Sequence, residues 1–449
     1  MVQLALLIIL FSMCAVIYRL NDRDPLSPAF LFTAGFALCA FSTVCFSGRW
    51  AYEMLPEAFF VVVSGVIIFV AISYLVHLLN DKKRERSCGR CAKNWELPVN
   101  RVLLFALVLL EAVVLCWSMV EIASAFPADS FAGSIGKYNS AIKFTDEGAD
   151  IFRAPLSQLR SFSGMVGYVF AFYIAQSFVL KKSYGRTIQI FGLLIACLLQ
   201  LASASRTVAV GYLCCFAIAY FMIKSKLVHG RPVINMRTVF VLALVAMIFI
   251  VSFQPIAAIV QGRTTSSDPL GYLSSYIGAQ LPNLDTFIRA EVEPEDNGIF
   301  GYMTFRNTIR WIGVQFGIPE FVYQYDLPFN TMNGVSTGNV YTTFYAFLYD
   351  FGMVGCIFLT AFMAVLSQLV YQKSRAFDSG ILSAFWVILY AMVGYALILC
   401  FFSNKFYEGI FTIGMAYKIV YLLIVFWLIS FFSPRKSAIK QIGGRIWQA

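Results

Sequence analysis

The basic residues of the long segment 259–351 are four arginines and no lysine; they are Arg263, Arg289, Arg306 and Arg310. A guanidinium is a planar fork that holds two phosphate oxygens at once, whereas an ammonium is a compact point charge. An arginine-only set therefore favours binding of a phosphate or diphosphate. The alternative is that the arginines form salt bridges with the nine carboxylates of the same segment.

Two of these arginines, Arg306 and Arg310, are four residues apart. A helix through this run places both on one face, while Phe305 and Ile309 share another. Two like charges stacked in this way repel each other unless an anion lies between them. The spacing therefore predicts a helix that binds an anion on its basic face.

Another place suited to an anion is the turn 203–207, Ser-Ala-Ser-Arg-Thr, which connects two apolar runs. Arg206 stands where the second run begins, and a helix N-terminus offers free N–H groups and a favourable dipole. A charge so close to hydrocarbon is costly and is by default a functional candidate. The alternative is that Arg206 reaches out to lipid headgroups.

The elements that carry these residues are predicted to be membrane helices. Apolar residues make up 59% of the 449-residue chain and charged residues 13%, with a mean hydropathy of +0.74. A bilayer core about 30 Å thick needs roughly 20 apolar residues per helix. The sequence predicts one all-α membrane domain, residues 1–449, with about eleven spans. They lie near 2–18, 29–46, 57–79, 102–123, 161–180, 188–203, 208–223, 238–258, 352–372, 380–401 and 411–432.

Lysines and arginines fall in alternate connections between these spans, and positive charge is retained on the cytoplasmic side. The connections predicted to be cytoplasmic are those around Arg19, Lys82, Lys181, Lys224 and Lys373, together with the C-terminus. The segments predicted to face outward are the N-terminus, 47–56, 124–160, 204–207, 259–351 and 402–410. This topology explains the net charge of +10 without nucleic-acid binding.

The outward segment 259–351 is long for a connection between membrane spans and too aromatic to be disordered. It is predicted to form short, partly buried amphipathic helices. Two charged residues lie inside predicted spans, Glu111 and Lys418. Each is expected to face the bundle interior, where the two can pair, and we interpret them as structural.

Several chemistries are excluded by missing residues. The chain has no Gly-rich phosphate loop with its lysine, and its two histidines, His77 and His229, cannot form an HExxH zinc motif. Cys88 and Cys91 form a CxxC without the second ligand pair that structural zinc needs. No metal and no cofactor is therefore expected.

Four short motifs surround the candidate residues: Ser-Ala-Ser-Arg-Thr at 203–207, Gly-Tyr-Met-Thr-Phe at 301–305, Gly-Asn-Val-Tyr-Thr-Thr-Phe-Tyr at 338–345 and Tyr-Asp-Phe-Gly at 349–352. Together they resemble the oligosaccharide repeat-unit polymerases, the Wzy-type O-antigen and capsule polymerases of bacteria. The resemblance also covers the number of spans, the long penultimate outer loop and Ser27-Pro28 at the start of the second span. It extends loosely over the whole chain.

The resemblance implies a glycosyltransferase with the GT-C-like membrane fold shared with O-antigen ligases and cell-wall glycan polymerases. Such an enzyme transfers a growing glycan from undecaprenyl diphosphate to the non-reducing end of a new lipid-linked repeat unit. The location would be the bacterial inner membrane, with a periplasmic N-terminus and a cytoplasmic C-terminus. The partners would be undecaprenyl-diphosphate-linked oligosaccharides, membrane lipids and a polysaccharide chain-length regulator.

In such a reaction a sugar hydroxyl attacks the anomeric carbon while the lipid diphosphate leaves with growing negative charge. Arg206, Arg306 and Arg310 are predicted to hold that diphosphate, and Arg206 matches the family motif directly. Arg263 and Arg289 either grip the second lipid-linked substrate or tie the loop down.

The general base is predicted among the carboxylates of the segment 259–351. Asp285 and Asp350 are the candidates, although Asp350 can instead cap a helix that begins near Gly352. Flat faces for sugar rings, or anchors at the membrane interface, are offered by Tyr302, Tyr341 and Trp311.

Three other functions compete with the polymerase. An O-antigen ligase uses the same donor, but ligases typically bring a histidine in the long outer loop, and 259–351 contains none. A lipid-linked oligosaccharide flippase should carry a cationic cavity through the membrane and two repeat-related halves, whereas this chain concentrates its charge on one outer surface. The third is a non-catalytic partner in a polysaccharide export complex.

Overall fold

The computed structural model describes residues 1–84, 96–144, 151–183, 185–202, 206–228, 269–290, 298–323, 327–376 and 380–432. The chain divides into two compact units. Unit 1 consists of Met1–Cys91, Lys224–Ala376 and Leu389–Tyr417. Unit 2 consists of Ala92–Ile223, Phe377–Ile388 and Lys418–Ala449.

The described residues are mostly helical. In chain order the helices are α1 (Val2–Leu20), α2 (Pro28–Trp50), α3 (Pro56–Arg84), α4 (Arg101–Ala125), α5 (Phe131–Phe144), α6 (Leu156–Val179), α7 (Arg186–Ala202), α8 (Arg206–Leu227), α9 (Pro269–Ile277), α10 (Gln280–Arg289), α11 (Arg306–Phe316), α12 (Thr343–Arg375), α13 (Gly380–Ile398), α14 (Lys405–Gly409) and α15 (Ile413–Phe432). Short 3-10 turns cover Pro319–Phe321 and Leu399–Phe401.

Nine helices of the described residues are long and apolar enough to cross a membrane, namely α1 to α4, α6, α8, α12, α13 and α15. Each of them overlaps a predicted span, so the chain is a multi-pass membrane protein. The predicted span 188–203 coincides with α7, which is apolar but only 17 residues long. The predicted span 238–258 lies outside the described residues, as do Cys88, Cys91 and His229.

The segment 259–351, where it is described, contains the short helices α9, α10 and α11, which confirms that part of its prediction. It also contains an antiparallel hairpin of β1 (Asn330–Met332) and β2 (Val335–Gly338), which the all-helical prediction missed. Asn333 and Gly334 make its turn with φ of +49° and +71°. Asn-Gly is the preferred pair for such a turn because both positions need positive φ.

Unit 1 is held together by aromatic packing between α2, α3 and α12. Phe32 stacks on Phe69 with ring centroids 4.3 Å apart. Phe344 of α12 lies directly over Gly65 of α3, where an added Cβ would come within 2.2 Å of the ring. A side chain at residue 65 would therefore push α12 away from α3.

Helix α12 bends at Gly352, whose φ of +60° and ψ of −158° are accessible only to glycine at low cost. The bend separates the two turns that carry Asp350 from the longer part that crosses the membrane. The prediction of a helix start near Gly352 therefore corresponds to the second part of α12.

Unit 2 is built on α4, α6, α7 and α8, with α6 almost completely buried. Tyr212 of α8 packs against Gly167 of α6, where a Cβ would lie 2.6 Å from the ring, and its hydroxyl donates to the backbone oxygen of Gly164 (3.1 Å). The amide of Gln176 exchanges two 2.9 Å hydrogen bonds with the backbone of Leu97. These contacts position α6 between its neighbours.

The predicted pairing between Glu111 and Lys418 is absent from the described residues. Glu111 of α4 is fully buried, and both of its carboxylate oxygens lack a hydrogen-bond partner. Lys418 of α15 takes part in no ion pair of the described residues. The two residues therefore do not pair in the part of the chain that the structure describes, and their interpretation as structural stays a prediction.

Candidate functional site

The turn before α11 is fixed by buried polar contacts. Asp350 on α12 accepts hydrogen bonds from the backbone N–H groups of Met303 (3.0 Å) and Thr304 (2.6 Å). The Thr304 hydroxyl donates to the backbone oxygen of Ala346 (3.2 Å), and the side chain of Asn404 donates to the Thr304 oxygen (3.1 Å). This turn sets the direction in which α11 begins.

Asp350 therefore does not cap the second part of α12 in the described contacts. Its carboxylate holds the Met303–Thr304 turn instead, one hydrogen bond to each oxygen. A carboxylate has about four lone-pair directions, so two hydrogen bonds leave it able to accept a proton. Fixing the turn and serving as a base are compatible roles.

Arg306, the first residue of α11, shares the Glu408 carboxylate with a second cation, Lys405. The guanidinium of Arg306 lies 2.9 Å from Oε1 of Glu408, and the ammonium of Lys405 lies 3.6 Å from Oε2. The side chain of Asn307 donates to the backbone oxygen of Glu408 (2.7 Å). Glu408 is only 8% exposed, and the two cations are about one-quarter exposed.

Arg310 follows one turn later on α11. It is exposed and makes no hydrogen bond or ion pair with any other described residue. On a helix, side chains four residues apart have Cβ atoms about 6 Å apart, so Arg310 is the neighbour of Arg306. We call Arg306, Arg310, Lys405 and Glu408 the basic group; it contains three cations and one carboxylate.

The basic group has the properties of an anion site. Two forked guanidinium groups and one ammonium can contact several phosphate oxygens at once. The partial burial of Arg306 and Lys405 removes water and so strengthens these charge interactions. The N-terminus of α11, where Arg306 lies, adds a favourable helix dipole. A diphosphate, with its spread of negative charge, fits this arrangement chemically.

Aromatic rings surround the first turn of α11. Phe305 packs edge-on against Tyr407 with centroids 5.6 Å apart. Tyr302 stacks on Tyr323 at 4.1 Å, and the Tyr323 hydroxyl donates to the Tyr302 backbone oxygen (2.7 Å). Burial raises the pKa of the Tyr323 hydroxyl. One face of the Tyr302 ring is thus already covered by a protein ring. Trp311 packs near Tyr417 with centroids 6.3 Å apart.

Tyr341 is buried, and both its hydroxyl and its ring contact other residues of the protein. Its hydroxyl donates to the backbone oxygen of Pro328 (3.0 Å) and accepts from the side chain of Asn330 (3.0 Å). Its ring packs on Tyr345 with centroids 4.4 Å apart. Burial raises the pKa of the Tyr341 hydroxyl to about 12. In this structure Tyr341 stabilises the hairpin region.

Asp285 and Arg289 bind to the connection between α2 and α3. The fully buried Asp285 carboxylate accepts from the backbone N–H of Leu55 (3.3 Å) and lies 3.2 Å from the Arg289 guanidinium. Arg289 also donates to the backbone oxygen of Glu53 (2.7 Å). Burial raises the pKa of the Asp285 carboxyl, while Arg289 lowers it. Of the two roles predicted for Arg289, these contacts match the tying of the loop.

The two other predicted arginines are not joined to the basic group by any described contact. Arg206 begins α8, as predicted, but belongs to unit 2, and its side chain lies outside the described residues. Arg263 also lies outside them. The structure therefore brings together Arg306 and the turn that Asp350 holds, with Arg310 one turn along.

Lys405 and Glu408 are the site residues that the sequence prediction missed. They lie in the connection 402–410, for which the sequence predicts only an outward-facing position between two spans. Lys405 is a basic residue in a connection otherwise predicted to be on the lysine-poor side, and Glu408 is an acid of the same short segment. That local charge pair was the available signal.

No protein-family model matches the chain, and searches of curated proteins and of solved structures find no match. Among the described residues no cluster of three or more His, Cys, Asp or Glu side chains is placed to hold a metal ion. The fold and the site thus define a multi-pass membrane protein with a half-buried basic group at the start of α11.

Proposed function

We propose that this protein is a membrane glycosyltransferase that polymerises lipid-linked oligosaccharide repeat units, as in O-antigen or capsule synthesis. The observation that carries the proposal is the basic group, in which Arg306 and Lys405 share the Glu408 carboxylate and Arg310 stands exposed beside them. A site of this composition suits the diphosphate of an undecaprenyl-diphosphate-linked glycan. The motif resemblance points to the same substrate class.

The proposed reaction exchanges one bond at the anomeric carbon. A hydroxyl oxygen of the acceptor sugar forms a bond to that carbon, and the bond to the diphosphate oxygen breaks. The bonding electron pair leaves with the diphosphate, and the hydroxyl proton passes to a base, for which Asp350 is the candidate. Arg306, Arg310 and Lys405 would stabilise the charge that develops on the leaving group.

The proposal extends to topology and location. It includes eleven spans, a GT-C-like fold, the bacterial inner membrane, a periplasmic N-terminus and a cytoplasmic C-terminus. The span 238–258 lies outside the described residues; it would take the chain from Lys226 at one end of unit 1 to Arg289 at the other. The proposed topology also keeps Arg206 and Arg263 in segments that face outward. A polysaccharide chain-length regulator is the proposed protein partner.

The test is chain extension by the purified protein. Synthetic repeat units on a lipid diphosphate are incubated with wild type, Arg306→Ala, Arg310→Ala and Lys405→Ala, and products are resolved as a ladder on a gel. Removing one leaving-group cation should slow extension on the order of 10²-fold. The matched control is Lys182→Ala, which removes a cation from the exposed pair with Glu96 and should not change the rate.

The same preparation separates the alternatives. Transfer of glycan to lipid A core without a ladder would identify a ligase. Transport of the lipid-linked unit across proteoliposome membranes, with no new glycosidic bond, would identify a flippase. A ladder that is equally strong in all three variants would keep the polymerase but remove the basic group from its mechanism.

A further inference from the structure

Glu111 lies on α4 in unit 2, and the proposed mechanism gives it no role. Its side chain is completely buried in α4, and neither carboxylate oxygen has a hydrogen-bond partner among the described residues. Buried carboxylates in proteins are almost always paired or hydrogen-bonded. A carboxyl group that is buried without a hydrogen-bond partner therefore requires an explanation.

The groups that face Glu111 are neutral. Cys197 on α7 and Tyr212 on α8 are the titratable side chains that interact with it electrostatically. The Tyr212 hydroxyl hydrogen is committed to the Gly164 backbone oxygen of α6, and Tyr168 of α6 packs edge-on against Tyr212 at 4.8 Å. No described cation from α4, α5, α6, α7, α8 or α15 forms an ion pair with it.

An apolar cluster shields Glu111 one turn away along α4. Val114 packs there against Leu156 of α6 and Leu199 of α7, all of them buried. An ionised carboxylate cannot persist in such surroundings without a partner, because its hydration is lost and nothing replaces it. A neutral carboxylic acid loses far less hydration free energy when it is buried. The packing is therefore compatible with the protonated form of Glu111.

A structural role does not explain the residue. A buried polar group stabilises a fold only through the partners it binds, and an unpaired one costs stability. An apolar side chain of similar length would fill the same space without that cost. Ionisable residues inside membrane bundles commonly mark proton or ion paths.

We infer that Glu111 is a proton-binding site within the group of α4, α6, α7 and α8. In the conformation described it holds the proton as a carboxylic acid. Release breaks the carboxyl O–H bond, leaves the electron pair on the oxygen and passes the proton to water. This release requires a rearrangement that brings water or a cation to the carboxylate. The protein thus has an acid whose charge depends on its conformation.

The first experiment uses dicyclohexylcarbodiimide, an apolar reagent selective for protonated carboxyl groups in hydrophobic surroundings. The acid gives its proton to a carbodiimide nitrogen, and the carboxylate oxygen then bonds to the central carbon. The full chain in detergent is labelled over a range of pH and mapped by mass spectrometry. We expect an adduct on Glu111 that forms faster as the pH falls, and none at that position in Glu111→Gln.

Glu121 supplies an internal control on the same helix. It is only partly buried and accepts a hydrogen bond from the Trp117 indole (3.0 Å), so it should remain unlabelled. Absence of an adduct on Glu111 in folded wild type would overturn the proposal. Protection of Glu111 by sodium at constant pH would overturn it as well and would assign a metal cation instead of a proton.

A second measurement distinguishes a proton site from a hidden structural contact. Glu111→Met replaces the carboxyl with an apolar side chain of similar length, and we expect its midpoint of thermal unfolding to equal or exceed that of wild type. A clear fall in the midpoint, in this variant and in Glu111→Gln, would show that the carboxyl has a stabilising partner. Neither result depends on glycan polymerisation.

Discussion

Glu408 converts two separate cations into a group at the start of α11. Its carboxylate, 8% exposed, lies 2.9 Å from the Arg306 guanidinium and 3.6 Å from the Lys405 ammonium. Without it the two cations would repel each other in a half-buried place where water screens them poorly. The carboxylate thus acts as the counter-ion of Arg306 and Lys405. A bound substrate anion would replace it or add to its negative charge.

This arrangement predicts the behaviour of Glu408→Gln. The backbone contact with Asn307 stays, but the counter-charge is lost, so the unfolding free energy should fall by about 1–2 kcal/mol in the absence of anions. Added pyrophosphate should recover more stability in the variant than in wild type, since it replaces the missing negative charge. Thermal unfolding with and without pyrophosphate measures both effects.

The control for this prediction is Glu96→Gln. Glu96 pairs with Lys182 on an exposed surface, so its loss should change neither stability nor the response to pyrophosphate. If Glu408→Gln and Glu96→Gln respond alike to pyrophosphate, the basic group does not bind the anion.

The sequence predicted only part of this site, because several of its contacts join residues that are far apart along the chain. Arg306 and Arg310 are neighbours on one helix, so their spacing is readable from the sequence. Glu408 lies 101 residues after Asn307, and the contact between them depends on how α14 packs beside α11. Asp350 reaches the turn at Thr304 across 46 residues of sequence. Spacing rules contain no information about such tertiary contacts.

At the scale of elements, the bend in α12 follows from one glycine. Gly352 adopts a backbone conformation that a Cβ disfavours, and the bend allows Asp350 to face the turn before α11. The sequence pattern indicated the membrane-crossing part of α12 from its apolar run. That run begins at residue 352, at the bend, so the pattern did not indicate the two preceding turns.

Gly352→Ala should therefore destabilise the protein. Alanine at this φ and ψ costs on the order of 1–3 kcal/mol, although no neighbouring atom obstructs the added Cβ. The loss should appear as a lower midpoint of thermal unfolding and as faster hydrogen exchange of the Met303 and Thr304 amides, which Asp350 holds.

Gly48→Ala is the matched control. Gly48 lies near the end of α2 with open space around it, and alanine is the better helix former by up to about 1 kcal/mol. It should leave the midpoint unchanged or raise it. Equal losses in both variants would mean that the backbone conformation of Gly352 is not the cause.

At the scale of the whole molecule, the connections of unit 1 form two sets, and the members of each set contact one another at one end of the unit. At one end Arg289 binds the backbone of Glu53, and Asn333 donates to the backbone oxygen of Arg49 (3.3 Å). The segment 259–351 thus meets the connection 47–56. Both were predicted to face outward from the distribution of lysine and arginine alone.

The opposite end of unit 1 collects connections predicted to be cytoplasmic. Arg375 pairs with Asp24, and the Lys226 ammonium donates to the backbone oxygen of Ala376 (2.8 Å). The apolar stretch Pro56–Asn80 of α3, 25 residues, separates the two ends by about 37 Å at a rise of 1.5 Å per residue. This is enough to cross a bilayer core.

The two ends should therefore react from opposite sides of the membrane. We expect Asn333→Cys to react with a membrane-impermeant maleimide in intact spheroplasts, and Asp22→Cys to react only after lysis, because positive charge retains the second end in the cytoplasm. Wild type, with its 11 native cysteines, gives the background. Labelling of both variants before lysis would contradict a membrane-spanning α3. If instead Asp22→Cys reacts in intact spheroplasts and Asn333→Cys reacts only after lysis, the spans stand but the orientation is inverted. The basic group would then lie on the cytoplasmic side, where no outer-leaflet glycan could reach it.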